Sequence, residues 1–101
     1  MSQEFTITVE DGAATTIRLA GELELASAHQ LRGVLRDVAG DATLDLSDLT
    51  FLDSSGMSVL LGAHRRFEAE GHTLRLVGMS SSVRRAVQLA GLDDVLVLED
   101  A

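Results

Sequence analysis

The sequence contains no cysteine, no lysine and only three aromatic residues, all of them phenylalanine. Without cysteine, the chain forms neither a disulfide framework nor a thiolate metal site. The basic residues are eight arginines, which stand against sixteen acidic residues and leave a formal charge of −8. An acidic chain without a basic tract binds phosphate backbones poorly, and three phenylalanines offer few surfaces for stacking bases. We therefore expect no nucleic-acid partner.

Long apolar runs are missing as well. No stretch of about 18 apolar residues occurs, so we expect no membrane span. The first four residues lack the basic region and the apolar core of a secretory signal, and cytoplasmic localisation fits these features. Hydrophobic residues make up 46% of the chain and charged residues 24%, which is typical of a globular protein. The length predicts a single domain, residues 1–101.

The first half of the chain changes from a strand pattern to a helix pattern. Apolar and polar residues alternate over 5–9 and 16–19 around the turn signal at 11–12, which predicts a β-hairpin whose second strand ends at Gly21. A capping-box pattern of Ser27 and Gln30 then precedes apolar residues at helical spacing. These features predict two strands followed by a helix.

The second half repeats a strand followed by a helix. Strands are predicted over 43–46, 73–77 and 95–98, with a helix after 53–55 and another after a serine cap at 80–82. The last helix holds the apolar residues Val83, Val87 and Leu89. The order is therefore β-β-α-β-α-β-α-β, which predicts an α/β fold. Its sheet is mixed and mostly parallel, with the N-terminal hairpin as an antiparallel edge.

A short polar corner at 53–56 separates two apolar runs, one over 44–52 and one that begins at Met57. This pattern is typical of an extended segment that turns into a buried helix. Asp53, Ser54 and Ser55 all have side-chain oxygens able to cap that helix, a contribution of about 1 kcal/mol. We predict a hydroxyl at a helix N-terminus, where the helix dipole and the free amides tolerate an added phosphate.

The corner and its flanks resemble a known signature. Residues 45–56, DLSDLTFLDSSG, with the leucine-rich helix that follows, resemble the phosphorylation site of STAS-domain anti-sigma factor antagonists. Residues 21–24, GELE, resemble the Gly-Glu-Leu-Asp segment of that family, and the resemblance extends to about Leu98. It implies the STAS fold, with helices largely on one face of the sheet. The family commonly adds a C-terminal helix, for which little chain remains here, so we expect apolar surface left open or covered by a partner.

The resemblance implies that Ser54, directly after the aspartate, is the phosphoacceptor, with Ser55 as the second candidate. A phosphate adds a charge of roughly −1.5 to −2 beside Asp53, which would expel an acidic or apolar partner while the fold stays intact. In the alternative interpretation, both serines are ordinary helix caps. Asp53 is itself either a cap or a residue that orients the serine in the kinase.

Four more residues are candidates for partner binding. Gly56 permits either close packing or the approach of a partner's backbone. Met57 departs from the leucine often found after the motif and predicts a bulkier start of the helix. Glu22 and Glu24 resemble a family loop that borders the partner face, or they are plain solvated residues.

The function implied by the resemblance is that of an anti-sigma factor antagonist. Such a protein binds an anti-sigma factor serine kinase when unphosphorylated and is switched off by phosphorylation, here of Ser54. A PP2C-type phosphatase would restore the active form. The alternative with the same fold is a STAS subunit of a lipid-transport ATPase complex or of a stress-signalling assembly, in which the serine is structural.

None of these roles is enzymatic, and we expect no catalytic residue, no cofactor and no metal site. The chain has no glycine-rich phosphate loop and no Gly-x-Ser-x-Gly hydrolase elbow. Its three histidines show no metal-ligand spacing. His64 and Glu68, four residues apart on a predicted helix, are interpreted as a surface pair. A nucleotide-binding domain or an enzyme with an unrecognised site remains the other class of function.

Overall fold

The computed structural model describes residues 4–99, which form five strands and three helices. The elements, in chain order, are β1 (Thr6–Glu10), β2 (Thr15–Leu23), α1 (Leu25–Arg36), β3 (Ala42–Leu52), α2 (Ser54–Ala69), β4 (Leu74–Val77), α3 (Ser81–Leu89) and β5 (Val97–Glu99). The strands lie in the sheet in the order β1-β2-β3-β4-β5. Only β1 and β2 are antiparallel; the other pairs are parallel. The predicted order and the antiparallel edge are confirmed.

All three helices belong to crossovers between neighbouring parallel strands. Parallel crossovers are almost always right-handed, so connections that advance in one direction across a sheet place their helices on the same face. The central strands agree with this arrangement, because alternate side chains are buried and those between them are partly or fully exposed. The buried set is Ile17, Leu19, Leu44, Leu46, Leu74 and Leu76, and the intervening residues include Arg18, Asp45 and Arg75. The α/β fold implied by the resemblance is therefore confirmed.

The second strand bends where it passes Gly21. The prediction that β2 ends there is wrong, since the strand continues to Leu23. Gly21 has a φ of 94°, and a Cβ at this position would lie 2.9 Å from the carbonyl oxygen of Glu4 and 3.1 Å from the Cα of Phe5. The register between β2 and β3 also shifts beside it. Glycine thus permits a close backbone crossing and a bulge, and β2 reaches the loop before α1.

The third helix and the last strand differ slightly from prediction. The side chain of Ser80 accepts a hydrogen bond from the backbone N–H of Val83 at 3.2 Å, which confirms a serine cap. Leu89 belongs to α3 as predicted, but it is the last residue of the helix and is 77% exposed. The last strand begins at Val97, two residues later than predicted.

Several large apolar side chains are exposed among residues 4–99. They are Val9, Leu25, Phe51, Leu89 and Val95. The core beneath the helices is built from the sheet residues given above together with α2 residues such as Leu60 and Phe67. Within residues 4–99, no helix is long and apolar enough to cross a bilayer.

We predict that Leu76→Ala lowers the free energy of unfolding by about 2–5 kcal/mol, because the Leu76 side chain on β4 is fully buried. The same change at Leu89, which is exposed, should cost less than about 0.5 kcal/mol. Urea denaturation followed by circular dichroism measures both, since the chain lacks tryptophan and tyrosine. Equal losses in the two variants would contradict the assignment of the core.

Candidate functional site

The polar corner between β3 and α2 is capped by Asp53. This residue has an extended backbone, with φ −104° and ψ −174°, and its Oδ1 accepts a hydrogen bond from the backbone N–H of Gly56 at 3.0 Å. Its carbonyl oxygen accepts from the backbone N–H of Met57 at 3.0 Å. Of the three candidate caps in the sequence, the aspartate therefore serves the helix.

The two serines of the corner are the first residues of α2, and their hydroxyls are not used inside the protein. Ser54 is exposed and Ser55 is half-buried. Neither hydroxyl forms a hydrogen bond with any residue from 4 to 99. The interpretation of both serines as helix caps is therefore wrong. Their backbone N–H groups lie in the first turn, where a helix offers no acceptor of its own, so the corner presents free donors as well as a hydroxyl.

The corner is held against the end of β2 by the backbone. Parallel pairing places Leu23 opposite Leu52 and Glu22 opposite Phe51. Beyond the last pair, the backbone N–H of Asp53 donates to the carbonyl oxygen of Leu23 at 3.2 Å. The structure therefore brings the GELE segment and the DSSG segment together at the carboxyl edge of the sheet.

Glu24 lies between β2 and α1 and caps α1. Its Oε1 accepts from the backbone N–H groups of Ala26 at 3.1 Å and of Ser27 at 3.2 Å. The Ser27 hydroxyl accepts from the backbone N–H of Glu24 at 2.9 Å and donates to the carbonyl of Glu22 at 2.8 Å. This is a capping box with the usual roles exchanged, so the predicted cap at Ser27 with Gln30 is wrong. Glu24 is engaged with its own helix, whereas Glu22 is partly exposed and its carboxylate is not used in this box.

Gly56 is required by packing. A Cβ there would lie 2.6 Å from Leu52 Cδ1, 2.8 Å from Leu23 Cγ and 3.0 Å from the Leu23 carbonyl oxygen. Met57 beside it is partly buried against the core. Leu23 and Leu52 were not predicted as residues of the site. Leu52 ends the apolar run before the corner, but Leu23 lies beyond the predicted end of the second strand, so no sequence signal joined the two residues.

Asp45, in the strand that leads to the corner, is held by a separate cluster. Its Oδ1 accepts from the Ser47 hydroxyl at 2.6 Å and from the Ser47 backbone N–H at 3.0 Å, and its Oδ2 lies 3.5 Å from Arg18 Nε. The Ser47 hydroxyl bond, followed by the Ser47 amide, holds the pKa of the Asp45 carboxyl below its usual value. Burial opposes this lowering, and the Arg18 guanidinium adds a smaller lowering effect than either Ser47 bond. The cluster anchors the middle of β3.

His64 and Glu68 meet on α2 as predicted, with 3.4 Å between Nε2 and Oε2. The pair is not fully on the surface, however, because His64 is only 7% exposed while Glu68 is open to solvent. Across the described part of the chain, no three histidine, cysteine or acidic side chains cluster in a way suited to a metal ion.

Comparison with known proteins gives the family. Residues 7–99 match the family described as "Mlab, STAS domain". The chain belongs to the STAS domain family. In sequence, this STAS domain is 30% identical over 83 residues to the anti-sigma-B factor antagonist of Bacillus subtilis (strain 168), covering 79% of this chain and 76% of that protein.

Solved structures extend the similarity over nearly the whole STAS domain. An anti-sigma factor antagonist from Mycobacterium paratuberculosis is similar at 27% identity and a TM-score of 0.82, covering 97% of this chain and 89% of that one. The anti-sigma factor antagonist SpoIIAA is similar in its unphosphorylated form, at 28% identity and a TM-score of 0.78, covering 97% and 88%. The phosphorylated form of SpoIIAA from Bacillus is similar at 27% identity and a TM-score of 0.73, covering 97% and 91%.

We predict opposite effects of adding a methyl group at two glycines of α2. Gly56→Ala should lower the free energy of unfolding by about 1–3 kcal/mol, because its Cβ would overlap Leu23 and Leu52. Gly62→Ala is the matched control in the same helix: its Cβ meets open space, so it should raise stability by about 0.5–1 kcal/mol. Urea denaturation distinguishes them. Stabilisation by Gly56→Ala would contradict the close packing of the corner.

We also predict that Ser47→Ala raises the pKa of Asp45 towards 3.8, because it removes the hydroxyl bond that contributes most to the lowering. A lowered pKa in the folded state gives stability above the pKa of the unfolded chain, and that stability is lost as the pH falls through the folded value. The stability difference between wild type and Ser47→Ala should therefore shrink in acid. Carboxyl NMR titration and urea denaturation against pH measure the two effects, with Ser81→Ala as the control. An unchanged Asp45 titration in Ser47→Ala would refute the assigned cause.

Proposed function

We propose that the protein is an anti-sigma factor antagonist whose Ser54 is the phosphoacceptor. The observation that carries the proposal is the division of roles at the corner: Asp53 caps α2, so the exposed Ser54 hydroxyl remains free for a kinase. The similarity to antagonists in sequence and in structure supports the same function. That SpoIIAA has been solved in phosphorylated and unphosphorylated forms supports phosphorylation as the switch.

In this proposal, the unphosphorylated corner binds an anti-sigma factor that is itself a serine kinase. Its binding surface consists of Asp53, Ser54, Ser55 and Met57, with Glu22 from the end of β2. Gly56 shapes the corner from beneath, and Glu24 fixes the start of α1. The kinase transfers phosphate from ATP to the Ser54 hydroxyl, and a PP2C-type phosphatase removes it. The domain itself is a substrate and a binding module in the cytoplasm; it performs no catalysis and needs no cofactor.

The charge on the phosphate accounts for the switch. The phosphate adds a charge of roughly −1.5 to −2 beside the Asp53 carboxylate. A partner surface that accommodated the hydroxyl then meets a larger group and is repelled electrostatically. The free backbone N–H groups of the first turn and the helix dipole stabilise the same charge. The modified fold therefore stays intact, and only the interface changes.

Exposure favours Ser54 over Ser55. The Ser55 side chain is half-buried at the start of the helix, whereas that of Ser54 is open to solvent. A kinase must bring the γ-phosphate within bonding distance of the hydroxyl, so the open side chain is the easier acceptor. Ser55 stays the second candidate.

A second candidate function is a constitutive STAS subunit of a lipid-transport ATPase complex or of a stress-signalling assembly. The description of the matched family, "Mlab, STAS domain", names no anti-sigma factor antagonist and is compatible with this alternative. A structural serine inside this domain has no support, since the Ser54 hydroxyl bonds to nothing within residues 4–99. In this alternative, the serine would contact the neighbouring subunit.

We predict that Ser54→Asp reduces capture of the anti-sigma kinase roughly tenfold or more, because a charge in the interface costs over about 1.4 kcal/mol. Tagged wild type, Ser54→Ala, Ser54→Asp and Ser81→Asp are expressed in the native cells, and captured proteins and intact masses are quantified. Ser81 is the matched control, an exposed serine that also opens a helix behind a capping residue. Wild type and Ser81→Asp should retain the kinase.

A phosphate should appear in wild type and disappear in Ser54→Ala. Unmodified protein across growth and stress conditions, together with unchanged capture by Ser54→Asp, would overturn the proposal. Capture of a transporter ATPase instead, equal in all four forms, would establish the constitutive-subunit function.

A further inference from the structure

Charge is divided unevenly between the helices and the rest of this acidic chain. The three helices contain six of the eight arginines and a single acidic residue, Glu68. Helix α1 has Arg32 and Arg36 and no acidic residue at all. The acidic residues lie almost entirely in the strands, loops and capping positions. A chain of net charge −8 therefore presents basic helices.

A groove of about 310 Å³ lies between α1 and α2, and arginines surround it. Its lining residues, within the part of the chain that the structure describes, include three arginines and no acidic side chain: Arg32, Leu35, Arg36, Ser58, Val59, Gly62, Ala63 and Arg66. The floor consists of small or apolar residues. A Cβ on Gly62 would meet nothing within 4 Å, so no other segment of residues 4–99 occupies the space above it.

One arginine of the groove is fixed, and two are available. Arg66 donates a hydrogen bond to the carbonyl oxygen of Leu35, lies 3.4 Å from Glu70 and stacks 4.9 Å from the centroid of the Phe67 ring. It thereby joins α2 to the end of α1. Arg32 and Arg36 are exposed, and no hydrogen bond or ion pair engages them within residues 4–99.

We propose that this groove, which we call the basic groove, is the docking site for an acidic amphipathic helix of a partner protein. Arg32 and Arg36 stand one helical turn apart, which matches carboxylates spaced four residues apart on a facing helix. The small residues of the floor let an apolar helix stripe approach closely. The partner's carboxylates meet the guanidinium groups of Arg32 and Arg36, which no carboxylate of residues 4–99 engages, so charge complementarity selects an acidic segment.

The basic groove begins one helical turn from the proposed phosphoacceptor. Ser58 lines it, and Ser54 lies four residues earlier on the same helix, about 6 Å along the axis. The docking surface is thus continuous with the corner. The inference rests on the proposed function only in attributing the acidic helix to the partner that contacts the corner; the groove and its charge stand without it.

The test uses a synthetic probe and the full chain. The probe is a 16-residue amphipathic helical peptide with leucine and alanine on one face and glutamate on the other; a matched peptide has lysine in place of glutamate. Each is titrated into ¹⁵N-labelled protein and followed by amide chemical shifts. We expect the acidic peptide to shift amides over 32–36 and 58–66, and the lysine peptide to leave them in place.

Two double variants with the same change in net charge complete the test. Arg32→Gln with Arg36→Gln should weaken binding of the acidic peptide about fivefold to tenfold. Arg18→Gln with Arg75→Gln, which removes two arginines of the sheet that are already paired with acidic residues, should leave it unchanged. Equal weakening in both variants, equal shifts by both peptides, or shifts outside the groove would overturn the proposal.

Two further outcomes distinguish peptide docking in the basic groove from membrane binding and from the phosphorylation switch. If the variant with Arg32→Gln and Arg36→Gln loses binding to phosphatidylglycerol vesicles while its affinity for the acidic peptide is unchanged, the surface is a membrane contact and the proposal is overturned. Because the titration contains neither kinase nor phosphate, it does not depend on whether Ser54 is ever modified. Peptide binding with unmodified Ser54 in cells would uphold the groove and reject the phosphorylation switch.

Discussion

The proposed site depends on the parallel pairing of β2 with β3 at their carboxyl ends. That pairing continues one bond beyond the sheet, from the backbone N–H of Asp53 to the carbonyl oxygen of Leu23. The bond positions the cap of α2 beside the loop that begins α1. The missing side chain of Gly56 then lets α2 lie directly on Leu23 and Leu52. The N-terminus of α2, Ser54, Glu22 at the end of β2 and Glu24 at the start of α1 therefore share one edge of the sheet because of a single strand pairing.

Two neighbouring residues of the corner have different roles: Asp53 caps α2, and Ser54 presents a free hydroxyl. A helix start needs an acceptor, and a carboxylate at Asp53 supplies it. If the cap were a serine, its hydroxyl would be occupied by the backbone, and phosphorylation would remove the cap. With Asp53 as the cap, the next hydroxyl can change its charge without loosening the helix. This arrangement separates the stability of the fold from the state of the switch.

The elements that periodicity defines were predicted well, and the contacts between distant parts of the chain were not. The order of strands and helices follows from alternating and helical spacing, and the corner at 53–56 follows from its polar residues between apolar runs. The start of α1 was mispredicted because Ser27 with Gln30 matches the usual capping-box pattern, whereas the structure uses Glu24 as the cap and Ser27 as its partner. The extension of β2 through Gly21 depends on the backbone of Glu4 and Phe5, which local sequence does not reveal.

The basic groove was likewise not predictable from local sequence, since it exists only where α1 and α2 pack together. Its position gives electrostatics a role in the proposed switch beyond the corner. Screened charges interact over about 8–10 Å at physiological salt, and Ser54 lies about 6 Å along α2 from the groove's first residue, Ser58. A phosphate on Ser54 therefore repels an acidic helix docked there. The same phosphate would attract a basic segment, so only an acidic occupant makes the corner and the groove respond to phosphorylation in the same direction.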